Sequence, residues 1–257
     1  MNPRFHLPGI RETGQFVSLG GEEFLHLKKV LRLQAGDEIA LFDGDGTGFA
    51  GRIVEVGRTV ARVVLGAREP AERESGLHLR LVGALSKGEK FEWVVQKATE
   101  LGVSEIQPIY TERADVRPVG GREEKKRERW RRVALEACKQ SGRTRLPIIR
   151  RPGDLGSALK RPEGEVGIVL DPEGPPGAME GLLRTVAGAR ALAAAVGPEG
   201  GWSPRERAQF HEAGFIPLRL GPRILRTETA AIVSTALFQF LSGDLVTGPG
   251  APPFRGR

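Results

Sequence analysis

The residues best suited to chemistry lie in two glycine-bearing loops near the C-terminus. In the first loop, the apolar run ALAAAV leads into Gly197-Pro198-Glu199-Gly200-Gly201, and a helix follows with Ser203 as N-cap, Pro204 at its first position and Glu206 completing a capping box. Glycines at the carboxyl end of a strand let the backbone approach a ligand closely, and open sheets bind ligands at that edge. The same residues also fit a plain tight turn, so this loop alone does not identify a site.

The second loop repeats the arrangement. The strand IPLRL, which ends at Leu220, meets Gly221-Pro222-Arg223-Ile224-Leu225-Arg226, and we expect Thr227 to cap the final helix. Arg226, Thr227 and Glu228 then lie at a helix N-terminus, where backbone N–H groups and the positive end of the dipole favour an anion or a hydrogen-bonding ligand. Two such loops can face one pocket, with Arg226 and Glu228 beside it. Dipole complementarity alone also explains a glutamate in a first helical turn.

The positive charge of the chain is concentrated in one segment. The net charge is +7, and residues 122–151 contain 12 Lys or Arg against 4 Asp or Glu, which leaves 27 against 28 in the remainder. A basic segment of this kind suits a polyanion, because neutralising phosphates releases counterions. A solvated helix face fits the same pattern, since Glu123, Glu124 and Glu128 lie among the bases.

Composition excludes several classes of protein. No apolar run reaches the roughly 18 to 20 residues that span a bilayer, and the N-terminus lacks an export signal, so we expect a cytoplasmic protein without a membrane partner. A single cysteine, Cys138, permits no internal disulfide, and the four histidines have no metal-ligand spacing, so no metal is expected. The run Gly44 to Gly48 links two strands and opens no helix, which predicts a hairpin turn and not a nucleotide site.

Two patterns of periodicity divide the chain. After a helix over GEEFLHLKKVLRL, short runs at 37–42, 49–56 and 60–65 predict a small β-barrel or sandwich. The charged segment near residues 67–76 is the expected boundary. Beyond it, strands and helices alternate, which predicts an α/β domain with a mostly parallel sheet.

Several motifs together resemble one family. The stretches GPEGGWSPRE, LGPRILRTETAA, ALSKGEKFEWVVQKATELGV, EACKQSGR and HLKKVLRLQAGDEIALFDGDG are similar to the small-subunit ribosomal RNA methyltransferase E family of the SPOUT superfamily. The resemblance implies an N-terminal PUA-like β-barrel that binds RNA over residues 1–72 and a SPOUT methyltransferase domain tied in a trefoil knot over residues 73–247. It also implies a homodimer, and composition predicts a flexible tail at 248–257.

The resemblance also implies an activity and a set of site residues. The activity is transfer of the methyl group of S-adenosylmethionine to N3 of a uridine in 16S rRNA of the small ribosomal subunit. The implied cofactor residues are Leu170, Gly197, Pro198, Glu199, Gly200, Gly201, Leu220, Gly221, Ile224, Leu225, Arg226 and Thr227.

Methylation at N3 requires removal of a weakly acidic proton and stabilisation of the resulting charge. Glu228 is the candidate base, Arg226 a candidate for orientation or stabilisation, and Arg4 resembles a family arginine that could reach the RNA or the site. In this interpretation the basic helix contacts RNA. The phosphate candidates are Lys125, Lys126, Arg129, Arg132, Arg143 and Arg145.

Two alternatives remain open at the level of sequence. Another SPOUT methyltransferase, acting on a ribose 2′-hydroxyl or on tRNA, would carry similar cofactor loops. A non-catalytic RNA-binding protein of ribosome assembly would use the glycine loops only as turns.

Overall fold

The computed structural model describes residues 2–69, 73–86, 88–114, 123–175 and 184–245. The chain forms two compact units, one of Met1–Glu74 with Leu135–Leu146 and one of Ser75–Ala134 with the chain from Pro147 onward. The basic helix is divided between the two units, because Leu135–Leu146 groups with the first one. Ion pairs within the first unit, Lys139 to Glu23 at 2.6 Å and Arg143 to Glu74 at 2.9 Å, hold that segment. The domain bounds 1–72 and 73–247 stay a prediction.

The first unit is built on a mixed sheet of order β1-β3-β4-β5-β2, in which only the β1–β3 pair is parallel. Its strands are β1 (Arg4–His6), β2 (Phe16–Leu19), β3 (Glu38–Phe42), β4 (Gly48–Val56) and β5 (Ala61–Arg68). One face buries a core that includes Phe5, Leu27, Ile39, Phe49 and Val63.

The predicted helix over residues 21–33 is shorter than expected. Helix α1 covers Gly21–Leu25, and a π-helical turn covers His26–Val30. The expected hairpin turn at Gly44 to Gly48 is confirmed, since it connects β3 to β4.

The second unit contains a six-stranded sheet of order β11-β9-β10-β6-β7-β8, and each of its strand pairs is parallel. Its strands are β6 (His78–Ala84), β7 (Glu105–Ile109), β8 (Ile148–Ile149), β9 (Val166–Leu170), β10 (Ala191–Val196) and β11 (Ile216–Leu218). The helices from residue 90 onward include α2 (Lys90–Glu100), α3 (Glu123–Ser141), α4 (Leu155–Leu159), α5 (Pro204–Glu212) and α6 (Thr227–Ser242). The predicted α/β class with a parallel sheet is confirmed.

Strand β10 shows why both faces of this sheet are covered. Leu192, Ala194 and Val196 belong to one core cluster, whereas Ala193 and Ala195 belong to another. Successive side chains of a strand point to opposite faces, so an unbroken apolar run is buried on both sides. The knot and the homodimer stay predictions, and the tail at 248–257 lies outside the described residues.

Candidate active site at the carboxyl edge of the parallel sheet

A pocket opens where β9, β10 and β11 end, at Leu170, Val196 and Leu218. These three strands are neighbours in the parallel sheet, so their carboxyl ends meet at one edge. The residues that line the pocket are Leu170, Asp171, Pro172, Val196, Gly197, Pro198, Glu199, Gly201, Trp202, Leu218, Arg219, Leu220, Arg223, Ile224, Leu225, Thr227 and Ala230.

The first glycine loop is held by Trp202 and by the capping box. The indole Nε1 of Trp202 donates to the Leu170 carbonyl at 2.9 Å, which joins the loop after β10 to the end of β9. A Cβ on Gly197 would lie 3.0 Å from the Trp202 ring, so a side chain at this position would force the ring to shift by a few tenths of an ångström. The predicted box is confirmed, because Glu206 N donates to Ser203 Oγ and Ser203 N donates to Glu206 Oε2.

The second loop is joined to the first by Thr227. The expectation that Thr227 caps α6 is wrong: Arg226 is the N-cap, without a side-chain capping bond, and Thr227 is the first helical residue. The Thr227 hydroxyl instead donates to the Gly197 carbonyl at 3.0 Å. Sequence reasoning missed this because the partner is 30 residues away.

Glu228 is buried beside this junction, with 6% of its surface exposed. Its Oε2 atom has no hydrogen-bond partner among the described residues. An unpaired buried oxygen destabilises the folded state by about 1–3 kcal/mol, so a carboxylate at this position indicates a functional role. The expected partner Arg226 is exposed at the helix start and forms no ion pair with Glu228 in the described structure.

A lysine that sequence reasoning missed belongs to this charged group. Lys90, the first residue of α2, forms an ion pair with Glu199 of the first glycine loop. The pKa of Lys90 is raised above its usual value, chiefly by that hydrogen bond, while the charge of Glu228 adds to the rise and that of Arg226 opposes it. The charges of Glu199, Arg226 and Glu228 therefore all act on Lys90.

Most of the expected cofactor residues lie in the pocket wall. They are Leu170, Gly197, Pro198, Glu199, Gly201, Leu220, Ile224, Leu225 and Thr227. Gly200, Gly221 and Arg226 do not line it: Gly200 packs against Arg113, and Gly221 takes a φ of +68° that suits glycine in a turn. Trp202 and Asp171, which directly follow Gly201 and Leu170 in the chain, also line the pocket and were not among the expected cofactor residues.

The expected RNA residues differ in their surroundings. Lys125, Lys126, Arg132 and Arg145 are exposed, and Arg129 is exposed but paired with Glu89 and Glu92. Arg143 is only 3% exposed and forms an ion pair with Glu74, so a contact of its side chain with a phosphate stays a prediction.

Arg4 is also buried. Its Nη1 atom lies 2.8 Å from Glu69 Oε2 within the first unit, and its guanidinium stands 5.6 Å from the Phe42 ring centre. The structure thus places Arg4 inside its own unit, and its part in a reaction stays a prediction.

Within the described residues, no cluster of His, Cys, Asp and Glu is arranged to hold a metal ion, and no helix is long and apolar enough to cross a membrane.

Comparison with known proteins agrees with this architecture. The model of an RNA methyltransferase domain matches residues 73–239, and that of an RNA methyltransferase PUA domain matches residues 19–65. The chain is thus a member of the RNA methyltransferases that carry a PUA domain.

Relatives that match more than nine tenths of this chain identify a particular family within this class. The ribosomal RNA small subunit methyltransferase E of Buchnera aphidicola subsp. Schizaphis graminum is 32% identical over 95% of this chain and 98% of its own. That of Bacillus subtilis is 30% identical over 91% and 95%. The chain belongs to the ribosomal RNA small subunit methyltransferase E family.

Two solved structures of similar fold also contain S-adenosylmethionine. The family member from Neisseria gonorrhoeae, bound to S-adenosyl methionine, is 34% identical, with a TM-score of 0.84 over 93% of this chain and 97% of that one. A Legionella pneumophila protein in complex with the bound cofactor is also 34% identical, with a TM-score of 0.81 and the same coverage.

Proposed function

We propose that this protein transfers the methyl group of S-adenosylmethionine to N3 of a uridine in 16S rRNA. Family membership supports an rRNA substrate in the small subunit, and the ligand of two similar structures supports the cofactor. The observation that carries the choice of N3 is the buried Glu228 carboxylate, which has an unpartnered oxygen beside the pocket. Such a group is suited to accept a proton from a ring nitrogen.

The pocket residues fit this cofactor. Leu170, Val196, Leu220 and Leu225 form aliphatic walls of the kind that cover an adenine ring. Glu199 lines the same pocket, and its carboxylate forms the ion pair with Lys90. When bound, S-adenosylmethionine supplies a methyl group on a positively charged sulfur.

The side chains of this protein then have two roles: one removes the proton from N3, and another stabilises the negative charge on the uracil ring. Glu228 accepts the N3 proton, and the electron pair left on N3 forms the bond to the methyl carbon as the carbon–sulfur bond breaks and its electron pair stays on sulfur. The exposed guanidinium of Arg226 stabilises the negative charge that develops on the uracil ring. The ion pair of Lys90 with Glu199 adds two charges near these groups. Arg4 is a further candidate for reaching the RNA.

Nucleoside analysis tests this proposal. Small subunits or 16S rRNA that lack the modification are incubated with the protein and the cofactor, digested, and separated by liquid chromatography with mass detection. We expect 3-methyluridine. A 2′-O-methylated nucleoside, or methylation of tRNA only, would favour a different methyltransferase. If calorimetry detects no binding of S-adenosylhomocysteine, the enzyme assignment itself is wrong and an assembly protein is favoured.

A further inference from the structure

A short surface segment of the first unit has an unusual backbone. The basic turn, defined here as Lys28–Arg32, includes the end of the π-helical turn and the residue pair that follows. Leu31 N donates to the His26 carbonyl at 3.0 Å, and Leu33 N donates to the Leu27 carbonyl at 3.1 Å. Arg32 follows the end of this turn and has a φ of +55°. It is the one non-glycine residue with a positive φ in the described parts of the chain.

Arginine is an unfavourable residue for that backbone. Helix ends of this kind usually place glycine in the left-handed position, because a Cβ there costs roughly 1–2 kcal/mol. The Arg32 side chain is exposed, and within the described structure it makes no ion pair or side-chain hydrogen bond that would compensate. Because a glycine would form the turn more easily, the guanidinium is a candidate for a contact outside the folded chain.

The surface around Arg32 is both basic and apolar. The stretch from Phe24 to Gly36 contains three cations and no carboxylate. Lys28 has a structural part, because its ammonium donates to the Gly57 carbonyl at 2.7 Å, but Lys29 is exposed and makes no ion pair among the described residues. Between Lys29 and Arg32 lie Val30, 66% exposed, and Leu31, 37% exposed.

We propose that the basic turn is an RNA-contacting surface of the first unit, with Lys29 and Arg32 on phosphates and Val30 against an unstacked base or ribose. Two unpaired cations beside an apolar side chain match single-stranded or loop RNA, which offers both phosphates and exposed base faces. A protein partner fits less well, because two exposed apolar side chains are a small part of the about 800 Å² that each partner buries in a stable interface. The choice of rRNA as ligand rests on the proposed function.

The backbone of Arg32 provides a sharp test. The full-length variants Arg32→Gly and Lys29→Gln are titrated with a 16S rRNA transcript at several salt concentrations. We expect each variant to bind roughly threefold to tenfold more weakly near 0.1 M salt. The slope of log K against log salt should become shallower by about 0.7 for each variant. Arg32→Gly should unfold in urea no earlier than the parent, because glycine suits the left-handed position. Arg32→Lys keeps the charge and should bind within about twofold of the parent.

Two further variants separate the possible outcomes. Val30→Ser should weaken binding without changing the salt slope, and the exposed Lys160→Gln in the second unit should change neither. If Arg32→Gly binds the transcript as the parent does, the RNA contact is refuted. It is also refuted if only methylation of assembled subunits falls, since the turn would then contact a ribosomal protein. Failure of the parent to form 3-methyluridine would contradict the proposed function and leave the binding result on the basic turn intact.

Discussion

Glu228 is the residue on which the proposed chemistry depends most directly. Its carboxylate is buried and one oxygen is unpartnered in the described structure. In Glu228→Gln the amide keeps the shape but cannot accept the N3 proton. We therefore expect the rate of methyl transfer to fall about 10²- to 10⁴-fold in single-turnover assays, with little change in the affinity for S-adenosylhomocysteine.

The exposed Glu212 on α5 provides a matched control. Glu212→Gln should transfer methyl groups at the parental rate. A Glu228→Gln variant with unchanged turnover would remove Glu228 as the base and assign its burial to the helix start alone.

Cys138 allows a prediction about pH. Burial is the main cause that raises the pKa of its thiol to about 12. The thiolate is the reactive form, and it is scarce at pH 8, far below this pKa. We expect the native protein to resist a chromogenic disulfide reagent at pH 8 and the protein in guanidinium to react with one thiol per chain. Rapid modification of the native chain would contradict the buried position.

At the scale of elements, α3 presents an exposed basic surface within the second unit that includes Lys125, Lys126 and Arg132. If these side chains bind phosphates, replacing all three with glutamine should weaken binding to 16S rRNA and lower the salt slope by about 0.7 to 0.9 for each lost contact. The variant Lys160→Gln again serves as control. An unchanged slope would favour the alternative that α3 is only a solvated helix face.

At the scale of the whole molecule, we expect a homodimer. The second unit exposes Trp93 on α2, together with Val233 and Phe240 on α6, and these two helices pack against each other. Exposed apolar surface of this kind favours an interface. Sedimentation should give about twice the chain mass, and the double variant Trp93→Glu and Val233→Glu should shift the protein to monomers. The control Val54→Glu, in the first unit, should leave the dimer intact; a monomeric parent would refute the prediction.

Local patterns were sufficient for most elements. The apolar run of β10 and the Ser203–Glu206 capping box were correctly assigned, because each depends on residues close in the chain. The short strands β1, β2 and β8 and helix α4 were missed, since two to five residues are too few for a period to emerge. Their formation depends on neighbours that the fold supplies.

What the sequence determined by itself was the alternation of elements and the two glycine loops, because propensity, capping and turn formation act over a few residues. Whether those loops form a site or two plain turns was decided only by tertiary structure. The bond from Thr227 to the Gly197 carbonyl, the bond from Trp202 to the Leu170 carbonyl and the ion pair of Lys90 with Glu199 join segments that are distant in the chain. Parallel strands place such segments at one sheet edge, and no local pattern encodes which of them meet.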